Sequence, residues 1–93
     1  MEHYTERTGP GQYRIRKEYL TIAEEGCTGP AADRLAAFER VYEQLAKDRE
    51  KTEAQMEELR KQGRCGSATF RQLMAKKVNL GNMLDTFSIY GIQ

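Results

Sequence analysis

Two cysteines and one histidine are the residues whose types invite a chemical reading. Cys65 stands in Gln62-Gly63-Arg64-Cys65-Gly66-Ser67, a glycine turn leading into a helix-forming stretch. A helix N-terminus and an adjacent arginine both favour thiolate over thiol, so this is a candidate reactive thiol for redox or electrophile sensing. The same position also reads as a small side chain in a solvent-facing turn. Cys27 sits in Cys27-Thr28-Gly29-Pro30, and neither cysteine is spaced from His3 or the other as metal ligands are. No metal and no cofactor is therefore expected. Two cysteines are too few for a disulfide framework, and the opening MEHYTERTGPGQYR has no apolar core of an export signal. Free thiols in a cytoplasmic, reducing setting are the expectation.

The remaining catalytic vocabulary is missing. Asp48, Glu50, Glu53, Glu57 and Glu58 alternate with Lys and Arg along a helical stretch, which describes a solvated face rather than an acid–base pair. GRCGS lacks the Lys-Ser/Thr ending of a phosphate-binding loop. Residues 67–90 can be drawn as a helix–turn–helix with Lys76-Lys77-Val78-Asn79 as its turn. The recognition helix would then be LGNMLDTFSIYG, which has no Arg or Lys to meet bases or phosphates. With 15 Lys and Arg against 14 Asp and Glu, the net charge of +1 gives no electrostatic footprint for nucleic acid. No stretch approaches the roughly 18 apolar residues of a membrane span.

What remains is the framework. Residues 1–11 read as a flexible tail. In the segment QYRIRKEYLTIAEEG, Tyr13 and Ile15 alternate like a strand, whereas Ile15, Tyr19 and Ile22 follow a helical stripe. Gly26 after Glu24-Glu25 resembles a helix end, so a short helix over about 13–25 is predicted. Pro30 suits the first position of the next helix, where its missing N–H has no partner to lose. From Ala31 to Gln62 there is no Gly or Pro, and strong helix formers dominate. Leu35, Phe38, Tyr42, Leu45, Arg49, Thr52, Met56 and Leu59 fall at alternating steps of three and four, an apolar seam with a weak middle at Arg49 and Thr52. Such a rod, roughly 48 Å long, needs a partner along its seam.

Gly63 and Gly66 stop this helix, and Ser67 is a good N-cap for a second one over about 67–90. Phe70, Leu73, Leu80, Leu84 and Phe87 form its seam, with a possible break at 79–82 where Asn79 and Gly81 fall. A short loop between periodic helices implies antiparallel neighbours. This second limb also carries more apolar residues than one partner helix covers, and a second copy of the chain is the default cover.

Over residues 19–60 the chain resembles the segment that follows the DNA-binding domain in MerR-type transcriptional regulators. The residues carrying the likeness are Glu25, Gly26, Arg34, Leu35, Phe38, Glu39, Leu45, Gln55 and Leu59. RTGPGQYR is also similar to the wing of that family's DNA-binding domain. The resemblance implies self-association through the long helix and no particular ligand.

The expectation is therefore a mainly α, indeed all-α, chain: one helical domain over 12–93, built as a coiled-coil-like antiparallel hairpin with a short N-terminal helix. Its expected role is non-enzymatic protein–protein interaction coupled to regulation, as a homodimer or with another protein. A thiol sensor acting through Cys65 and a small DNA-associated accessory protein are the alternatives.

Overall fold

The computed structural model describes residues 1–93. Two antiparallel hairpins come first: β1 (Thr5–Gly9) with β2 (Gln12–Ile15), then β3 (Thr21–Ala23) with β4 (Gly26–Thr28). A single 3-10 turn, Lys17–Tyr19, separates them. Helix α1 (Pro30–Lys61) and helix α2 (Ala68–Ile89) follow. The chain divides into two compact units, Met1–Glu39 and Arg40–Gln93. No helix is long and apolar enough to cross a membrane.

The first unit corrects the expected all-α fold. Helices hold 61% of the residues and strands 16%, and the strands lie where a tail and a short helix over 13–25 were expected. Turn chemistry decides the matter. Pro10-Gly11 has the order of a type II turn, which needs a positive φ at its third residue, and Gly11 has φ 69°. That turn sets Gly9 opposite Gln12 and Thr5 opposite Ile15, with an irregularity between Arg7 and Gly9. Alternation at Tyr13 and Ile15 is thus a strand signal. The stripe Ile15, Tyr19, Ile22 is a coincidence of three points, spread over a strand, a 3-10 turn and another strand. Gly26 does not end a helix; it opens β4 opposite Ala23.

Gly29 joins the strands to α1. Its φ is 119°, and a Cβ there would stand 2.7 Å from the Tyr19 carbonyl oxygen. Only glycine tolerates both conditions. The Gly29 carbonyl then accepts the first helical bond, from the Asp33 N–H at 3.0 Å.

The helix ends are explicit in the second unit. Arg64 N–H donates to the Leu59 carbonyl at 2.8 Å and Gly63 N–H to the Arg60 carbonyl at 3.0 Å, the paired bonds of a Schellman motif. The same pattern closes α2: Ile92 N–H donates to the Phe87 carbonyl and Gly91 N–H to Ser88, both at 2.9 Å. Ser67 caps α2, its hydroxyl accepting from the Phe70 N–H at 3.1 Å. Helix α2 runs without interruption through Asn79 and Gly81, so the possible break at 79–82 is absent. One glycine costs about 1 kcal/mol in a helix interior. Leu80 and Leu84, both buried, fasten that stretch to its surroundings.

Candidate interaction surfaces

In the second unit three side-chain pairs mark the register in which α1 and α2 meet. Tyr42 and Phe87 pack edge-on with ring centroids 5.7 Å apart. Lys77 Nζ lies 3.8 Å from Glu53 Oε1. The Arg60 guanidinium stands 5.6 Å from the Phe70 ring centroid. All three pairs are centred on residues 64–65, in the middle of the loop, so the helices run antiparallel in one register from end to end.

The seam residues separate into three groups. Met56, Phe70, Leu80 and Leu84 are buried. Tyr42, Leu45, Leu59, Leu73 and Phe87 are half-buried at its margins. Leu35 and Phe38 belong to the first unit and are exposed, at 60% and 43%. The deepest side chain of all is Thr52, with no accessible surface, at the place expected to be the weak middle of the seam. Its hydroxyl donates to the Asp48 carbonyl at 2.7 Å, one turn back on the same helix. That bond offsets the cost of taking the hydroxyl out of water. A small residue there also lets the facing helix approach closely.

Beyond this seam α2 keeps a second apolar flank open. Met74 is 47% exposed, Val78 56% and Ile89 80%. They follow one another at helical spacing, with Gly81 and Asp85 between Val78 and Ile89. Single exposed apolar residues are ordinary; a line of them along one helix makes this flank a candidate interaction surface.

The first unit offers a cavity of about 610 Å³ whose lining includes Tyr4, Ile15, Leu20, Cys27, Leu35 and Phe38. A polar cluster braces its rim. The Arg34 guanidinium lies 3.7 Å from the Tyr4 ring centroid, and the Tyr4 and Tyr19 rings are 4.4 Å apart. Tyr19 Oη donates to Glu2 Oε1 at 2.7 Å, and Arg34 Nη1 donates to the Glu2 carbonyl. The bond to Glu2 holds the Tyr19 hydroxyl in its protonated form, raising its pKa above the usual phenol value. Leu35 and Phe38, expected on the helical seam, face this cavity. Sequence spacing could not show that, because the hairpins that complete the lining were not legible.

Cys27 and Cys65 are both free and exposed. The Arg60 pKa is raised, first by its hydrogen bond to Glu57 and also by the nearby Cys65 sulfur. No group of three or more His, Cys, Asp and Glu side chains is placed to hold a metal ion. On the β1–β2 hairpin the Glu6 carboxylate accepts from Arg14 Nε at 2.6 Å, which holds its pKa below the usual carboxylate value. Arg14 is thereby an internal partner of the hairpin.

No protein-family model matches this chain, and no curated protein or solved structure does either.

Proposed function

We propose that this chain is a non-enzymatic protein–protein interaction module that self-associates as a homodimer, in a regulatory setting. The open flank of α2 carries the proposal. Met74, Val78 and Ile89 stay exposed although the seam beside them is already filled by α1. Closed two-fold pairs are the commonest way to cover such a surface. The resemblance to the dimerisation segment of MerR-type regulators points the same way. Free thiols at Cys27 and Cys65 fit a cytoplasmic setting. Light scattering across a sizing column tests the proposal. A mass near twice 10.7 kDa supports it, and 10.7 kDa at every concentration rejects it.

A second reading rests on Cys65, exposed in the loop with Arg60 beside it. In that case the module is a thiol sensor, and oxidants or electrophiles modify Cys65 ahead of the equally exposed Cys27. Equal rates of modification at Cys27 and Cys65, read by mass spectrometry after limited alkylation, remove this reading.

A further inference from the structure

Gly81 has no role within its own chain. It lies in the interior of α2, where glycine is disfavoured. Its φ is not positive, and a Cβ built on it meets nothing within 4 Å. Neither backbone conformation nor internal packing asks for glycine there. A glycine in a helix interior otherwise admits the close approach of another backbone, as small residues do wherever helices cross tightly.

The surroundings of Gly81 identify that other backbone. Met74, Val78, Gly81, Asp85 and Ile89 occupy one flank of α2, apolar except for Asp85. Asp85 is exposed and takes part in none of the chain's ion pairs. Lys77 and Asp85 lie on opposite sides of Gly81 and equally far from it, one helical turn each way. Lys77 is half-exposed and only loosely held by Glu53 at 3.8 Å. A two-fold axis through Gly81 relates two antiparallel copies of α2. It sets Lys77 of each copy level with Asp85 of the other, and Met74 of each beside Ser88 and Ile89 of the other. Opposite charges at equal distances from a central small residue are what a self-complementary surface requires.

We propose that α2 is the dimer interface of this protein, with two copies crossing antiparallel at Gly81 and paired by reciprocal Lys77–Asp85 contacts. This rests on the self-association proposed above and specifies its surface and register.

The test is sedimentation equilibrium of the full chain with three variants. Gly81→Leu adds a side chain whose Cβ meets nothing within 4 Å of the chain, and leucine suits a helix better than glycine. It should weaken the dimer at least tenfold while helical content by circular dichroism stays at the wild-type level. Asp85→Lys should weaken it severalfold by setting lysines against lysines, and the triple variant Glu53→Lys, Lys77→Asp, Asp85→Lys, which keeps opposite charges facing each other between α1 and α2, should restore most of the loss. A dimer indifferent to Gly81→Leu and Asp85→Lys overturns the α2 interface but leaves self-association standing. Loss in Asp85→Lys without rescue in the triple variant overturns the antiparallel register. A wild-type chain that stays monomeric overturns both proposals.

Discussion

The two units of this chain are ordered by different means. In Met1–Glu39 only Ala31 is buried among the apolar residues, whereas Arg40–Gln93 buries Met56, Phe70, Leu80, Leu84 and the hydroxyl-bearing Thr52. The first unit depends on backbone geometry: Gly11, Gly26 and Gly29 all have positive φ within it. It adds exposed polar pairs, Arg14 with Glu6 and Tyr19 with Glu2. The second unit depends on one line of interlocking side chains, and its positive-φ glycines, Gly63 and Gly91, serve only to end helices. Backbone-directed order is sensitive to single glycines and tolerant of side-chain truncation. Packing-directed order is the reverse.

That contrast can be broken most forcefully in the second unit. Phe70→Ala removes a buried ring at the loop end of the seam and should cost about 3–5 kcal/mol, read by chemical denaturation. A loss under about 1 kcal/mol would mean the seam is not what orders this unit. In the first unit Gly29→Ala meets both a φ of 119° and the Tyr19 carbonyl at 2.7 Å. A cost of about 1–3 kcal/mol is expected, with amide chemical shifts disturbed in Thr21–Thr28 and little changed in α2. Unmoved shifts around Gly29 would show that its backbone conformation is not obligatory. Ser67→Ala deletes the cap bond to the Phe70 N–H and should cost about 1 kcal/mol.

Thr52→Val sharpens the comparison at lower energy. The isosteric side chain keeps the volume at the most buried point of the seam and removes only a hydroxyl bonded to its own helix. A change within about 1 kcal/mol is expected, against about 1–3 kcal/mol lost when Thr52→Leu overpacks the same point. Equal losses from both variants would show that the hydroxyl, not the size, is what matters at Thr52. The smallest effect is electrostatic. The pKa of Glu6 is depressed, first by its hydrogen bond to Arg14, so its contribution to the hairpin is present above the ordinary glutamate pKa. That contribution is lost as pH falls through the lower, folded value. Carboxyl titration by NMR should show Glu6 returning to the ordinary range in Arg14→Gln. An unchanged midpoint would remove Arg14 as the cause.

The same contrast explains how much was legible in the sequence. Both long helices could be read, because Pro30, Gly63 and Ser67 punctuate them and helix formers fill the windows between. Strands of three to five residues offer too little length for periodicity to speak, and here turn residues were the better signal. Pro10-Gly11 and Gly26 mark hairpins, although their surroundings also have the composition of a tail and of a helix end. Hydrophobicity makes Thr52 a weak point of the seam, whereas its burial shows that it fits there. Helix propensity alone puts a break at Gly81, and the buried Leu80 and Leu84 hold the helix together across it. The cavity beside Leu35 and Phe38 was beyond reach, since its lining comes from segments far apart in sequence.

The most direct measurement is the molar mass of the wild-type chain in solution, by light scattering over a wide range of concentration. Self-association predicts a mass that rises to a plateau near twice 10.7 kDa. A mass fixed at 10.7 kDa up to millimolar concentration would contradict it, and the open flank of α2 would then have no second copy to cover it.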